Sequence, residues 1–317
     1  MSVRSAEHRT LPERPCALLW DESFLWGLMA RQALTEAGLP FDLIRAEDIR
    51  AGKLSRYHMI FVPGGWAEAK LHALGEQGQA GIRSFVENGG SYLGICGGAG
   101  LATENGLSLL PVQRKGTQER VPSFSGPVRL FLVDHIIWEN IATPVFFAWW
   151  PFQLRIAAEN EIRLLAVYEE AQAEAMSADI KVGEGQNRGW SELEERYGIL
   201  LDPKRLKDEP AVVEGRFGQG KVMLSLVHFD TPEDRNGAAV LRSLWQYLTA
   251  DPDDQIHCTT ITREKLFLMT AALSPVDCPD EEISRLRREL FGSSISHGGK
   301  FKDLIVAVDH LLYKLIK

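Results

Sequence analysis

Gly89-Gly-Ser-Tyr-Leu-Gly-Ile-Cys-Gly-Gly-Ala-Gly-Leu101 is the stretch that decides the fold. Tyr92 to Ile95 is a short apolar run suited to a buried strand, and Cys96-Gly97-Gly98 follows it directly. A small residue two before and two after a cysteine, between strand and helix, is what a sharp strand-to-helix turn requires. Such a turn crowds its own backbone and pushes the central side chain out at the sheet edge. A thiol there lies near the first amides of the next helix, whose positive end favours the thiolate. The same pattern also suits a buried structural thiol beside a close-packed glycine turn, because cysteine is among the most buried residue types.

Outward from this turn, two periods alternate. Cys16 to Trp20 reads as a buried strand, and Phe24 to Ala37 as a helix with Ser23 as N-cap and Gly38 just past its end. Phe41 to Arg45 and Tyr57 to Val62 read as further strands, the latter stopped by Pro63-Gly64-Gly65. Ala80 to Glu87 places Ile82, Phe85 and Val86 at helical spacing. Strand and helix alternating at this rhythm predict a parallel sheet covered on both faces, with ligands bound beyond the carboxyl ends of its strands.

Downstream, residues 103–126 are rich in Gly, Ser, Pro and charge and read as a long surface connection. Val128 to Ile137, Val145 to Trp150 and Ile162 to Glu169 read as antiparallel strands. Val212 to Phe217 and Lys221 to Val227, joined through Gly218-Gln-Gly220, read as a hairpin. Asn236 to Leu248 is a helix turning Val240, Leu241, Leu244, Trp245 and Leu248 inwards. Beyond Asp251-Pro-Asp-Asp254, Pro279 to Leu290 and Phe301 to Ile316 are amphipathic helices. Their apolar faces imply packing on the main domain or formation of a homo-oligomer. The expected organisation is an N-terminal tail over 1–14, one α/β domain over 15–250 and a helical C-terminal extension over 251–317.

The chain has 317 residues, enough for one large domain or two smaller ones. Hydrophobic residues at 45% leave ample material for a core. A net charge of −8 repels phosphate backbones and anionic lipids, and no long basic run offsets it, so neither nucleic acid nor a membrane is an expected partner. The first thirty residues hold charges where a secretory leader would be apolar. Cys16, Cys96, Cys258 and Cys278 are widely spaced, which points to reduced thiols, a cytoplasmic location and no metal site. His257 and His297 do not complete a ligand pattern with them. No phosphate loop or dinucleotide fingerprint occurs, and no cofactor is implied.

A nucleophilic thiolate needs a base, and the base an orienting group. His228 ends the apolar run Val222-Met-Leu-Ser-Leu-Val227, and Asp230 follows at i+2, on the same side of an extended segment. The alternative is a strand-capping histidine beside a turn at Asp230 or Thr231. The aromatic cluster Phe146, Phe147, Trp149, Trp150 and Phe152 suits either a binding cleft or the core.

Phe61-Val-Pro-Gly-Gly65, Ile82-Arg-Ser-Phe-Val86 and the Gly89–Leu101 stretch together resemble the class I glutamine amidotransferase superfamily. Within it they are most similar to the branch known as the biotin–protein ligase N-terminal domain, as is His135-Ile-Ile-Trp-Glu-Asn140. The resemblance covers about residues 15 to 250. It implies a flavodoxin-like α/β three-layer sandwich with a mostly parallel central sheet. It also implies a Cys–His–Glu triad in which Cys96 corresponds to the nucleophile and His228 to the base. Asp230 falls where the family's Glu stands, and Phe229 replaces its Pro. Asp is one methylene shorter than Glu, so Glu233 is a second candidate for orienting His228. The amides of Gly65 and Gly97 are the expected oxyanion donors, with Gly64 and Trp66 at the pocket mouth. No glutamine-recognition segment follows the turn. The ~65 residues after the domain are too few for a ligase module. Two functions fit: a cysteine-dependent amide or acyl hydrolase or amidotransferase acting on a small molecule, or an inactive ligand-binding module on the same fold.

Overall fold

The computed structural model of the chain describes residues 16–139 and 141–249. The expected 1–14 tail and the 251–317 extension, with its two amphipathic helices, Cys258, Cys278, His257 and His297, lie outside the described residues, as does Asn140. The first part of the chain runs β1 (Cys16–Leu19), α1 (Phe24–Glu36), β2 (Asp42–Ile44), α2 (Ala46–Arg50), β3 (Met59–Val62), α3 (Ala67–Glu87), β4 (Ser91–Ile95) and α4 (Gly97–Leu101). It continues with β5 (Val112–Arg114), β6 (Phe124–Leu132), β7 (Val145–Trp149), β8 (Leu154–Ile156), β9 (Ile162–Ala171), β10 (Met176–Ser177) and β11 (Ile180–Lys181). The last elements are α5 (Val182–Arg188), α6 (Trp190–Tyr197), β12 (Pro210–Phe217), β13 (Gly220–Ser225) and α7 (Arg235–Thr249).

Eleven strands form one sheet in the order β11-β10-β6-β9-β12-β13-β4-β3-β1-β2, with β7 paired to β6. From β13 to β2 every pairing is parallel. From β13 outward through β12, β9, β6, β7, β10 and β11 every pairing is antiparallel. The sheet is therefore mixed, and the expected mostly parallel sheet holds for only one half. The reason is the connections. Parallel neighbours need a crossover, which α1 and α3 supply, whereas the strands after α4 are joined by turns and hairpins that reverse direction.

Successive residues of a strand face opposite sides of a sheet. In β4 the Ser91 hydroxyl donates to the Leu248 carbonyl of α7, while the Tyr92 hydroxyl donates to the Gly98 carbonyl of α4. Helices α7 and α4 thus cover opposite faces, and β4 and its neighbours are buried on both, as a run like Ile60-Phe61-Val62 requires. Val240, Leu241, Leu244, Trp245 and Leu248 of α7 are all buried, each large side chain worth about 1.5–3 kcal/mol of transfer free energy.

Two local expectations are corrected. Ser23 does not cap α1: its hydroxyl donates to the Leu19 carbonyl and accepts from Lys70. Residues 103–126 are not a plain surface connection, because Leu107, Leu109, Leu110, Val112 and Val121 are buried and β5 pairs with β8. Apolar residues spaced among Gly, Ser and Pro have no period to reveal them. Among the described residues no helix is long and apolar enough to cross a membrane.

Candidate active site

Cys96 sits at the carboxyl end of β4 with φ 50° and ψ −112°, a left-handed conformation that costs a non-glycine residue about 1–3 kcal/mol. Its amide continues the β4–β13 ladder by donating to the Ser225 carbonyl at 2.8 Å, so the sheet holds the strained residue in place. The glycines after it are required by close packing. A Cβ on Gly97 would stand 1.7 Å from the Gly65 carbonyl oxygen, and one on Gly98 would stand 1.8 Å from that of Val62. The start of α4 therefore rests directly on the backbone at the end of β3. Cys96 is partly exposed, whereas Cys16, the other cysteine within the described residues, is buried in β1. Burial pushes the Cys16 thiol pKa up, which makes it inert.

β7 ties the thiol to the histidine. The Trp149 carbonyl oxygen lies 3.7 Å from Cys96 Sγ, and the Phe147 carbonyl accepts from the His228 amide at 2.7 Å. His228 and Asp230 are both fully buried, with Nδ1 2.8 Å from Asp230 Oδ1. Trp26 of α1 lies over the imidazole, its ring centroid 4.9 Å away. A Cβ on Gly64 would stand 2.7 Å from this indole, so the glycine leaves room for Trp26. Burial alone would lower the imidazole pKa, but the Asp230 charge and hydrogen bond, with Cys96 adding in the same direction, raise it to about 10. His228 is thus an imidazolium at neutral pH, and its buried Nε2 has no partner among the described residues other than the Cys96 side chain, whose hydrogen bond is one of the causes of that rise.

Glu233 is not part of this arrangement. It is exposed, and its amide bonds a Glu36 carboxylate oxygen. Phe229 turns away from the pair into a buried aromatic cluster with Trp138 and Phe146. Trp66 stands 62% exposed at the start of α3. The aromatic cluster divides between roles: Phe146 is core, while Trp150 packs edge-on against Trp26.

Three residues around the site were not read from the sequence as part of it: Lys70, Ser23, which was expected only as a helix cap, and Trp26. Lys70, in the first turns of α3, is 1% exposed; its ammonium donates to Ser23 Oγ at 2.6 Å and to the Asp21 carbonyl at 3.3 Å. Burial lowers its pKa to about 7, against the pull of Glu22, Asp21 and Cys96. Ser23 lies between two strained residues, Glu22 and Phe24, both at positive φ. Trp26 is the third. The signal for Lys70 was a lysine among Trp66, Leu71 and Leu74 with no acidic residue at i+4.

Residues 54–106, which carry β3, α3, β4 and the Cys96 turn, match the family described as biotin-protein ligase, N terminal. No curated protein matches the chain. PurLQS from Thermotoga maritima is 15% identical, with a TM-score of 0.53 over 75% of this chain and 100% of its own. A protein described as ThuA-like from Bacteroides uniformis is 12% identical, with a TM-score of 0.50 over 77% of this chain and 94% of its own. The resemblance to the biotin–protein ligase N-terminal domain is thus found over residues 54–106, and the two solved structures share the α/β fold of this chain. At such identities the structural likeness concerns the fold alone.

Proposed function

We propose that the chain is a cysteine-dependent enzyme that attacks the carbonyl carbon of an amide or related acyl compound. The observation that carries this reading is the fully buried His228–Asp230 pair, on whose imidazole the strained, partly exposed Cys96 acts by charge and hydrogen bond. A histidine already charged at neutral pH is a proton donor held ready for the leaving nitrogen, and the thiolate form of Cys96 is the one that attacks. The sulfur forms a bond to the carbonyl carbon, and the Gly65 and Gly97 amides stabilise the oxyanion. His228 Nε2 then gives its proton to the leaving nitrogen, the carbon–nitrogen bond breaks, and a thioester results. Water attacks the thioester, its proton passing to His228, and the acid leaves as the thiolate is restored. Asp230 holds the imidazole tautomer and favours its charged form.

A second reading has its own observation. An open cavity of about 370 Å³, lined by Trp20, Asp21, Glu22, Phe24, Leu28 and Arg45, lies beyond β1 and does not include Cys96. A ligand held there without turnover is what an inactive binding module on this fold would do.

The deciding measurement is the alkylation rate of Cys96 by iodoacetamide, followed on its own peptide by mass spectrometry from about pH 5 to about pH 9. A working pair gives a rate already on its plateau near neutral pH. His228→Ala lowers the rate at about pH 6 by roughly 100-fold, because a thiol titrating near the free value of ~8.5 is then less than about 1% thiolate. A rate that climbs only past the free-thiol range near ~8.5 and ignores His228→Ala leaves the binding module. A positive result is followed by a screen of primary and secondary amides for ammonia or amine release.

A further inference from the structure

The turn that leads from β1 into α1 carries strain that burial does not repay. Glu22 and Phe24 both stand at positive φ, 54° and 43°, a conformation that costs residues with side chains and gathers at functional sites. Between them Ser23 is fully buried, its hydroxyl donating to the Leu19 carbonyl and accepting from Lys70. The turn thus anchors its middle residue inward and displays the two strained neighbours. Phe24 is 65% exposed, and Leu28, one turn further along α1, is 52% exposed.

Glu22, Phe24 and Leu28 line the open cavity of about 370 Å³ together with Trp20, Asp21 and Arg45. That volume lies at the lower end of the range for small-molecule sites. Its charged groups are unequally committed. Asp21 serves the fold: one carboxylate oxygen accepts from the Ala46 amide at 2.5 Å and the other from Arg45 Nη1 at 3.3 Å. Glu22 makes no side-chain hydrogen bond or ion pair among the described residues. Behind the turn, burial lowers the Lys70 pKa to about 7 against the pull of Glu22, so above neutral pH that counter-charge fades. The cavity therefore offers a ligand one uncommitted carboxylate, the two aromatic rings of Trp20 and Phe24, and the aliphatic Leu28. Aromatic faces attract cations as a carboxylate does, and apolar walls take an apolar body.

We propose that this cavity binds a small organic ammonium ion, with Glu22 and the rings of Trp20 and Phe24 taking the charge and Leu28 flanking an apolar body. Arg45 does not turn the site toward anions, because its guanidinium already faces Asp21. The strain at Glu22 and Phe24 then has a use, since it presents one charge and one ring to the same ligand. The proposal rests on the cavity of the second reading above but not on the inactivity of Cys96, and it holds whether or not the thiol turns over.

The test measures binding of phenethylammonium to the intact chain by titration calorimetry at about pH 8, where the amine is still charged. Phenethyl alcohol serves as its neutral analogue and hydrocinnamate as its anionic one. The ammonium is expected to bind about tenfold tighter than either, equivalent to about 1.4 kcal/mol from the ion pair and the rings. Glu22→Gln brings the ammonium to the level of the alcohol. Phe24→Gly, which relieves the backbone at a positive φ, weakens the ammonium and the alcohol together severalfold. Prior alkylation of Cys96 by iodoacetamide leaves all three affinities unchanged. Equal or undetectable affinities, tighter binding of hydrocinnamate, or a preference that survives Glu22→Gln overturns the proposal. Loss of binding on alkylation of Cys96 also overturns it, by placing the ammonium at the thiol. Tighter binding of Nα-acetyllysinamide than of phenethylammonium overturns the free-amine assignment in favour of a protein lysine. Folding of both variants is checked by urea unfolding; if Glu22→Gln does not fold, Phe24→Gly decides, and affinities unchanged by it overturn the site. Failure here is distinct from failure of the catalytic reading, which is read from alkylation in His228→Ala with no ligand present.

Discussion

In one part of the site Lys70 reaches from α3 to the β1–α1 loop; in another His228, three residues past the end of β13, lies beneath Trp26. Both are buried basic groups on which the Cys96 sulfur acts electrostatically, and burial disfavours the charge of each. Their outcomes are opposite. Lys70 falls from 10.5 to about 7, whereas His228 rises from 6.5 to about 10. The difference lies in the partners. Lys70 has a hydroxyl and a carbonyl as acceptors, and Asp21 and Glu22 act on it from partly exposed positions. His228 has a fully buried carboxylate in hydrogen-bond contact. A buried charge survives when its counter-charge is buried with it, so the site keeps its fixed positive charge on the histidine side.

The sharpest way to break this contrast is to remove the buried carboxylate. Asp230→Ala leaves an imidazole with only burial and Cys96 acting on it, and costs about 3–5 kcal/mol of stability, read from urea unfolding. Asp230→Asn keeps the hydrogen-bonding shape but not the charge, so it is the variant to carry into alkylation. Its rate at about pH 6 drops toward that of His228→Ala, by up to roughly 100-fold, as the thiolate fraction falls. An unchanged rate in a folded Asp230→Asn would falsify the role given to this pair.

On the Lys70 flank the same operation has the opposite sign. Lys70→Met replaces a desolvated amine by an apolar chain of similar length, and Ser23 keeps its hydrogen bond to Leu19. Stability at about pH 7 is unchanged or rises by about 1 kcal/mol, measured by the urea midpoint. A loss of several kcal/mol would mean that the ammonium is held by a strong ion pair after all.

The unequal flanks were also unequally legible. The His228 side could be read from residues because its elements are short and regular: an apolar strand, then His and a carboxylate at i+2. The Cys96 turn was legible for the same reason, since only small residues tolerate backbone contacts of 1.7 and 1.8 Å. The Lys70 side was not. The helix was expected only from Ala80, yet α3 begins at Ala67 and passes a non-helical Gly75 at φ 59°, which interrupts the apolar period. Ser23 matched the pattern of an N-cap, and nothing local distinguishes a capping hydroxyl from one recruited by a lysine forty-seven positions on. The parallel half of the sheet was legible from its strand–helix rhythm. The antiparallel half was expected as strands, but its merging into the same sheet through β12 and β13 is a long-range pairing that no local pattern encodes.

The smallest effect is a slope. His228 titrates at about 10 when folded and near 6.5 when unfolded, so its contribution to stability is complete below about pH 6.5 and is lost as pH rises through about 10. Lys70 is lowered to about 7 when folded from 10.5, so its burial cost is complete below about pH 7 and is relieved as pH rises toward 10.5. Between about pH 7 and about pH 10 the two slopes oppose each other, each at most about 1.4 kcal/mol per pH unit. The intact chain should therefore show a flatter dependence of urea stability on pH in this window than either single variant. Lys70→Met uncovers the falling histidine slope, and Asp230→Asn uncovers the rising lysine slope. Parallel curves for all three proteins would mean that neither flank titrates in this window, and the contrast between the two cations would fail at its physical root.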